Sequence, residues 1–263
     1  MNLEALNLKL RPRGASEAMD LGVRLLQRNA GTVYTVWAAT VLPLMLACLA
    51  LAPVATWLPT LLIWWLKPLY DRIVLFVLSR AVFGVQVGLR ELDWRQIIGS
   101  GLLWSLTLGR FDFARSFNLP VYLLEGLKGK RRRERFKVLQ KHTRGNAVLK
   151  TVTFIHAEQA LTLSCIVLAY LFMPRYLDLP FFTWMTGNDA PIWFTLMTQV
   201  CYIVVITLLE PIYVASGFTL YLNRRVELEA WDIELDLRRN LAEIAETDLP
   251  APRARVAVAG GVH

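Results

Sequence analysis

The stretch TVYTVWAATVLPLMLACLALAPVATW, residues 32–57, decides the fold because it runs for 26 residues without a charged side chain. A helix needs about 20 predominantly apolar residues to cross the hydrocarbon core of a bilayer. The stretch therefore predicts a membrane-spanning helix. Pro43 and Pro53 are expected to kink this helix or to mark its end.

The composition of the whole chain also indicates a membrane protein. Of its 263 residues, 55% are hydrophobic and only 19% are charged, and the mean hydropathy is +0.41. Soluble domains are about one quarter charged. This composition excludes a disordered chain, a disulfide-rich secreted module and a nucleic-acid factor built on a soluble fold.

The three cysteines lie in apolar runs without a CxxC spacing, so we expect buried thiols and no disulfide or zinc framework.

The second apolar segment, residues 58–84, is interrupted by a polar stretch, Lys67-Pro68-Leu69-Tyr70-Asp71-Arg72. In one interpretation the membrane helix ends near Lys67 and an interfacial helix follows. In the other the helix is broken, and Asp71 and Arg72 face protein. Because the first nine residues are too short to cross a bilayer, we expect one continuous, tilted or kinked span that buries Asp71 with an arginine.

Two later segments complete the predicted spans. Residues 147–173 are strongly apolar, although Lys150, His156 and Glu158 occupy their first half. Residues 192–222 form a run of 31 residues that is interrupted only by Glu210-Pro211. The sequence therefore predicts four full spans.

The distribution of basic residues predicts the sidedness. Lysines and arginines collect before residue 32, between residues 67 and 150, and after residue 222. The connectors 52–59 and 174–191 contain only Arg175. Because basic loops stay in the cytoplasm, the predicted fold is an all-α, polytopic bundle in the bacterial inner membrane, with four spans, interfacial or re-entrant helices, and both termini cytoplasmic.

Four regions follow from this pattern. Residues 1–31 form an N-terminal cytoplasmic or interfacial helix, and residues 32–222 form a membrane domain with a central, basic, cytoplasmic region at 85–146. Residues 223–248 form a C-terminal cytoplasmic amphipathic helix, and residues 249–263 a disordered tail. Within the central region, residues 97–126 are open to a re-entrant, an interfacial or a spanning interpretation.

Acidic residues inside the apolar segments are the candidate polar site. Glu210 precedes Arg224 by about 20 Å of helix, near the middle of the membrane. An ionised carboxylate there is costly unless it faces protein or water, so Glu210 is either an ion or proton site or an interhelical packing contact. We expect Glu158 to pair with Arg72 or Arg80. The full candidate intramembrane site is Asp71, Arg72, Glu158 and Glu210.

Residues 128–144 form a basic run with nine lysines or arginines against Glu134 alone. Anionic lipid headgroups attract such clusters. The acidic helix 226–248 is a second candidate partner, and nucleic acid a weak third, because only Phe136 is interleaved. The candidate contacts to lipid or partner are Lys128, Lys130, Arg131, Arg132, Arg133, Arg135 and Lys137.

Residues 226–246 have the apolar period of an amphipathic helix. Residues 224–248 carry eight acidic and four basic side chains. Its apolar face is a candidate surface for a partner protein or a second copy of the chain, with the residues Trp231, Ile233, Leu237 and Leu241.

Catalytic motifs are missing from the sequence. It contains no phosphate-binding glycine loop, metalloprotease helix or nucleophile elbow. His156 and Glu158 are two residues apart and so lie on different helix faces. We expect neither an enzyme nor a metal or cofactor site.

Several stretches resemble bacterial membrane proteins related to the membrane domain of glycerophosphoryl diester phosphodiesterases. The resemblance covers nearly the whole chain. It rests on EPIYVASGFTLYLNRR (210–225), LEAWDIEL (228–235), LRPR (10–13), EAMDLG (17–22), WWLKPLYDR (64–72) and RSFNLPV (115–121). Catalysis does not carry over, because no stretch here is long enough for the separate barrel domain of the phosphodiesterase.

The resemblance implies an envelope assembly, because such relatives are found beside MoxR-type ATPases and RDD-type membrane proteins. The first functional hypothesis is a non-catalytic inner-membrane subunit or scaffold that contacts partners or anionic lipid through 128–144 and 226–246. The second is a transporter or channel-like protein with a polar site at Asp71, Glu158 and Glu210. A lipid-modifying membrane enzyme lacks a paired acid–base or metal signature.

Overall fold

The computed structural model describes residues 13–99, 101–173, 180–186 and 190–229. Over these ranges the chain is helical and contains no strand, which confirms the all-α prediction. The predicted tail at 249–263 lies outside the described residues. The same holds for the predicted partner residues Trp231, Ile233, Leu237 and Leu241.

Eleven α-helices are described, together with short 3₁₀ helices at Leu89–Glu91 and Leu108–Phe111. The α-helices are α1 Ala15–Arg28, α2 Ala30–Leu49, α3 Leu58–Trp65, α4 Lys67–Ala81, α5 Trp94–Gly99, α6 Leu102–Leu106, α7 Arg115–Leu123, α8 Gly129–Gln140, α9 Arg144–Leu171, α10 Phe181–Thr186 and α11 Ile192–Glu229.

Three of these helices, α2, α9 and α11, are long and apolar enough to cross a membrane. They correspond to the predicted segments 32–57, 147–173 and 192–222. Helix α2 ends at Leu49, before Pro53. The structure thus agrees with the prediction of a membrane protein in these three segments.

The segment predicted as one continuous, tilted or kinked span, 58–84, contains two helices, α3 and α4, that meet at Leu66. Pro68 lies in the first turn of α4. Proline has no N–H to donate to the preceding turn, so the hydrogen-bond ladder of α3 stops there. The segment is broken at Leu66, and Asp71 and Arg72 are buried, as the broken-helix interpretation expects. That the two helices form one kinked span stays a prediction.

Helix α11 is the central element, and α1 and α2 run antiparallel along it. Asn223 accepts a hydrogen bond from the Arg13 amide and donates one to the Arg13 carbonyl, both at 2.9 Å. Farther along, Trp37 Nε1 donates to Thr207 Oγ1 at 3.2 Å. Helix α1, expected to lie at the membrane interface, therefore packs lengthwise on α11.

The contact between α1 and α11 is close because Gly22 has no side chain. A Cβ atom at Gly22 would lie 2.5 Å from the Ala215 carbonyl oxygen. Leu25 and Leu26 are buried beside it. The opposite side of α1 carries exposed charged residues, namely Glu17, Asp20, Arg24 and Arg28.

Residues 97–126 fold into short helices packed on the bundle. Helix α7 contacts α11, α4 and α9, and the Phe117 and Tyr221 rings lie 6.4 Å apart. At nine residues α7 is about 14 Å long, too short to cross a bilayer. In the described part of this segment no single helix is long enough to cross a bilayer by itself.

Candidate functional site: a buried charge cluster beside a cavity

Lys67 joins two of the predicted acidic residues. Its Nζ lies 2.5 Å from Glu158 Oε2 and 3.0 Å from Glu210 Oε2. The Lys67 residue is only 5% exposed. The first residue of α4 therefore ties α9 to α11.

Arg115, at the start of α7, joins the third acid to the same group. Its Nε lies 2.9 Å from Asp71 Oδ2, and its Nη2 lies 3.2 Å from Glu210 Oε1. Asp71 is completely buried, and Glu210 is nearly so. Glu210 thus bridges both cations. We call Lys67, Asp71, Arg115, Glu158 and Glu210 the charge cluster.

The predicted partners of Glu158 were wrong. Arg72 donates to the Ile97 carbonyl and to Ser105 Oγ, each at 3.0 Å. Arg80 is exposed, with its guanidinium 4.4 Å from the centre of the Phe76 ring. Glu158 pairs with Lys67 instead.

Sequence reasoning overlooked two members of the charge cluster. Lys67 was considered only as part of an interruption, although it lies four residues before Asp71 and thus on the same helix face. Arg115 carried no local signal, because its partners are distant in sequence. The four-residue spacing of Lys67 and Asp71 places the lysine on a buried helix face. A pairing of Lys67 with a membrane-embedded carboxylate could have been inferred from it.

Two further buried cations lie next to the charge cluster. Lys150 Nζ donates to Ser116 Oγ and, at 3.2 Å, to the Tyr213 carbonyl. Arg110, 7% exposed, donates to the carbonyls of Trp64 and Trp65 at 2.5 and 3.0 Å. Over the part of the chain that the structure describes, neither cation has a carboxylate at ion-pair distance.

The position of Arg110 follows from the helix break. In a continuous helix, the amide of residue 68 would donate to the carbonyl of residue 64. Pro68 lacks that amide hydrogen, and Arg110 Nη2 donates to the Trp64 carbonyl instead. The guanidinium also lies 3.4 Å from the centre of the Trp64 ring. A cation at this place complements the negative C-terminal end of α3.

A cavity of about 300 Å³ adjoins the charge cluster. It lies between α4, α9, α11 and residues 110–115. Its charged lining residues are Lys67, Arg110, Asp112, Arg115, Glu158 and Glu210. Apolar side chains that are also exposed on the outer surface surround it, among them Trp64, Phe111, Phe113 and Ile155. The cavity thus combines a charged interior with an apolar mouth.

The basic run forms α8, and one of its arginines, Arg135, attaches this helix to the rest of the protein through two ion pairs. Arg135 Nη2 lies 2.6 Å from Glu229 Oε1, and Arg135 Nε lies 3.0 Å from Glu125 Oε2. Burial alone would lower the pKa of Arg135, but its hydrogen bonds to the two carboxylates raise this pKa above the ordinary value. Glu229 is the last described residue of the chain, so the docking of the acidic helix 226–248 on the basic run stays a prediction beyond this one contact.

The seven predicted basic contacts divide into two groups. Arg135 faces the protein, and Arg132 lies over the Tyr122 ring at 4.8 Å. The remaining five are exposed: Lys128, Lys130, Arg131, Arg133 and Lys137. Helix α8 therefore presents a basic outer face to solvent or membrane.

The described ranges contain no group of three or more histidine, cysteine, aspartate or glutamate side chains that could hold a metal ion. The charged groups that line the cavity are three cations and three carboxylates. Comparison of the chain with protein-family models, with curated proteins and with solved structures finds no match.

Proposed function

We propose that this chain is a multi-pass protein of a bacterial inner membrane that binds a polar or charged ligand in its cavity, in the manner of a transporter or channel-like protein. The observation that carries the proposal is the cavity of about 300 Å³ against Lys67, Glu158 and Glu210. Ligand sites are clefts that combine apolar lining side chains with a few convergent polar groups. A purely structural ion network would need no open space beside it.

The proposed topology has four crossings, by α2, by α3 with α4, by α9 and by α11, and it leaves both termini in the cytoplasm. Helices α3 and α4 together cover residues 58–81, about 36 Å of helix. Lys67 contacts Glu210 at the junction of the two helices, so α3 forms the outer part of this crossing and α4 the part that leads to the cytoplasm. The sidedness rests on the basic residues of the central region and of the chain's first 31 residues.

The register of α2 against α11 supports a shallower position for Glu210 than mid-membrane. The exposed charges of α1 indicate that the cytoplasmic boundary lies near Asn29. Trp37 is eight residues farther, about 12 Å inside. Its hydrogen-bond partner Thr207 is one turn from Glu210, and that turn leads back toward the cytoplasm. Glu210 would then lie about 7 Å inside the boundary.

Glu210→Gln is the variant that tests this proposal. Lys67 keeps Glu158 and Arg115 keeps Asp71, so we expect folded protein. In proteoliposomes loaded with a pH-sensitive dye, the wild type should carry a proton or ion flux under an imposed potential. The variant should reduce this flux at least about tenfold, because the bridging charge is lost.

The control for this experiment is Glu227→Gln. Glu227 is an exposed carboxylate on the same helix, paired with Arg224 away from the cavity.

A second measurement tests access to the cavity: in a variant without the three native cysteines, Thr151→Cys should react with a small water-soluble thiol reagent. An unreactive Cys at 151, together with a flux unaffected by Glu210→Gln, would refute the ligand site.

A second candidate function, a non-catalytic scaffold or lipid contact, is favoured by the exposed basic face of α8. The resemblance to membrane proteins found beside MoxR-type ATPases supports an envelope assembly. Oligomerisation and a MoxR-type partner belong to this candidate. Neither candidate function involves catalysis or nucleic acid.

For this second candidate, Arg131→Gln/Arg133→Gln should weaken the association of anionic lipid with the protein. Each basic residue near a membrane surface contributes about 1 kcal/mol to its attraction for anionic lipid. The preference for spin-labelled phosphatidylglycerol over phosphatidylcholine in bilayers, measured by electron paramagnetic resonance, should therefore fall. Arg24→Gln/Arg28→Gln, a matched loss of two exposed charges on α1, should reduce it less. Equal effects of the two variants would mean that α8 provides no special contact.

A further inference from the structure

The mouth of the cavity is built from large apolar side chains that point outward. Phe111 is 72% exposed, Phe113 53% and Ile155 44%. Contiguous exposed apolar surface of this kind is unfavourable in water. Ile155 lies on α9, a candidate span that also exposes Leu161 and Leu168, with His156 and Gln159 as the polar exposed residues nearest to the mouth. In the proposed topology the mouth therefore opens sideways, toward the acyl chains of the bilayer.

The carboxylates that line the cavity already have partners. Glu158 pairs with Lys67, and Glu210 pairs with Lys67 and Arg115. Asp112 accepts hydrogen bonds from the Ala114 amide and from Asn118 Nδ2. A cationic ligand would have to displace one of these donors.

Arg110 is the lining cation without such a counter-charge. Its Nη atoms donate to two backbone carbonyls, and its buried Nε has no hydrogen-bond partner in the part of the chain that the structure describes. A buried cation satisfied by carbonyls alone is stabilised when an anion approaches it. The site thus favours an anionic group.

The size of the cavity limits what fits inside. About 300 Å³ is the lower end of the range for ligand pockets. This volume suits a compact polar group and leaves no room for long acyl chains. An amphiphile would have to keep its chains outside, against Phe111 and Phe113.

We propose that the cavity binds the phosphate-containing headgroup of an anionic phospholipid, which enters sideways from the bilayer and is held by Arg110. This inference rests on the proposed function, because it assumes that the cavity is a ligand site. It names the class of ligand and the direction of entry. A free phosphate ion shares the anionic chemistry but has no use for the apolar mouth.

The test uses the full chain, delipidated in detergent and titrated with phosphatidylglycerol, with binding read by native mass spectrometry. We expect one saturable lipid per chain, which protects Thr151→Cys from the thiol reagent. Arg110→Gln should weaken this binding by about tenfold or more, because a charge-assisted contact is lost. Arg80→Gln, which changes an exposed arginine that does not line the cavity, should leave it unchanged.

Ile155→Trp provides a variant that leaves every cluster charge in place. The larger side chain should obstruct the mouth and reduce lipid binding, with unchanged thermal stability. This variant keeps the test valid if Arg110→Gln does not fold. Inorganic phosphate, used as the second probe, should neither bind measurably nor compete with the lipid.

The outcomes separate this inference from the proposed function. If Thr151→Cys reacts but phosphatidylglycerol does not protect it, the cavity exists and the lipid assignment is wrong. Displacement of the lipid by inorganic phosphate would also overturn the assignment in favour of a soluble anion. If lipid binds equally to the wild type and to both variants, it binds elsewhere on the surface. An unreactive Thr151→Cys in lipid-free protein, together with a flux unaffected by Glu210→Gln, would remove the ligand site itself, and this inference with it.

Discussion

Lys67→Met is expected to lower the free energy of unfolding by about 3–5 kcal/mol, the usual effect of removing one partner from a buried ion pair. Lys67 is the ion-pair partner of Glu158, whereas Glu210 would still have Arg115. The substitution would therefore leave the Glu158 carboxylate buried without its cation. Thermal unfolding in detergent, followed by fluorescence-detected size exclusion, measures the effect.

The double variant Lys67→Met/Glu158→Gln should recover much of this loss. It removes the uncompensated carboxylate along with the cation, and buried pairs replaced together are often close to neutral in stability. Lys130→Met is the matched control, because Lys130 pairs with Glu134 at 3.9 Å on the exposed surface. Exposed pairs of this kind contribute about 0–1 kcal/mol. If Lys67→Met were no worse than Lys130→Met, the charge cluster would have to be well hydrated.

The parts of the fold that the sequence predicts well are those set by local composition. Helices α2, α9 and α11 coincide with long apolar runs, because the hydrocarbon core demands about 20 apolar residues whatever their neighbours are. The break at Leu66 was harder to predict, because a proline can kink a helix or end it. Which of the two occurs depends on groups that satisfy the freed carbonyls, here Arg110.

The candidate site was only half predictable for a related reason. Burial of Asp71, Glu158 and Glu210 follows from their position in apolar segments. Their partners do not, since Arg115 lies 95 residues from Glu210 and Lys67 lies 91 from Glu158. Periodicity along one helix carries no information about which other helix lies opposite. The cavity depends on the same long-range packing.

Gly22→Leu is expected to separate α1 from α11 and to destabilise the protein by about 3 kcal/mol, at the upper end of the usual effect of overpacking. A Cβ at Gly22 would already lie 2.5 Å from the Ala215 carbonyl oxygen and 2.6 Å from Thr219 Oγ1. Two of the nearest atoms are backbone atoms of α11 and cannot rotate away. The midpoint of thermal unfolding should fall by about 6 °C or more.

Gly31→Leu is the matched control, because Gly31 is also helical and a Cβ there would meet nothing within 4 Å. Leucine is favoured over glycine in helices by about 0.8 kcal/mol, so this variant should be neutral or slightly stabilised. The two identical substitutions thus have opposite expected signs. If both variants were equally stable, α1 would not be held against α11 in the membrane. The register that brings Glu210 close to the cytoplasmic boundary would then lose its support, because it depends on α1 and α2 following α11 together.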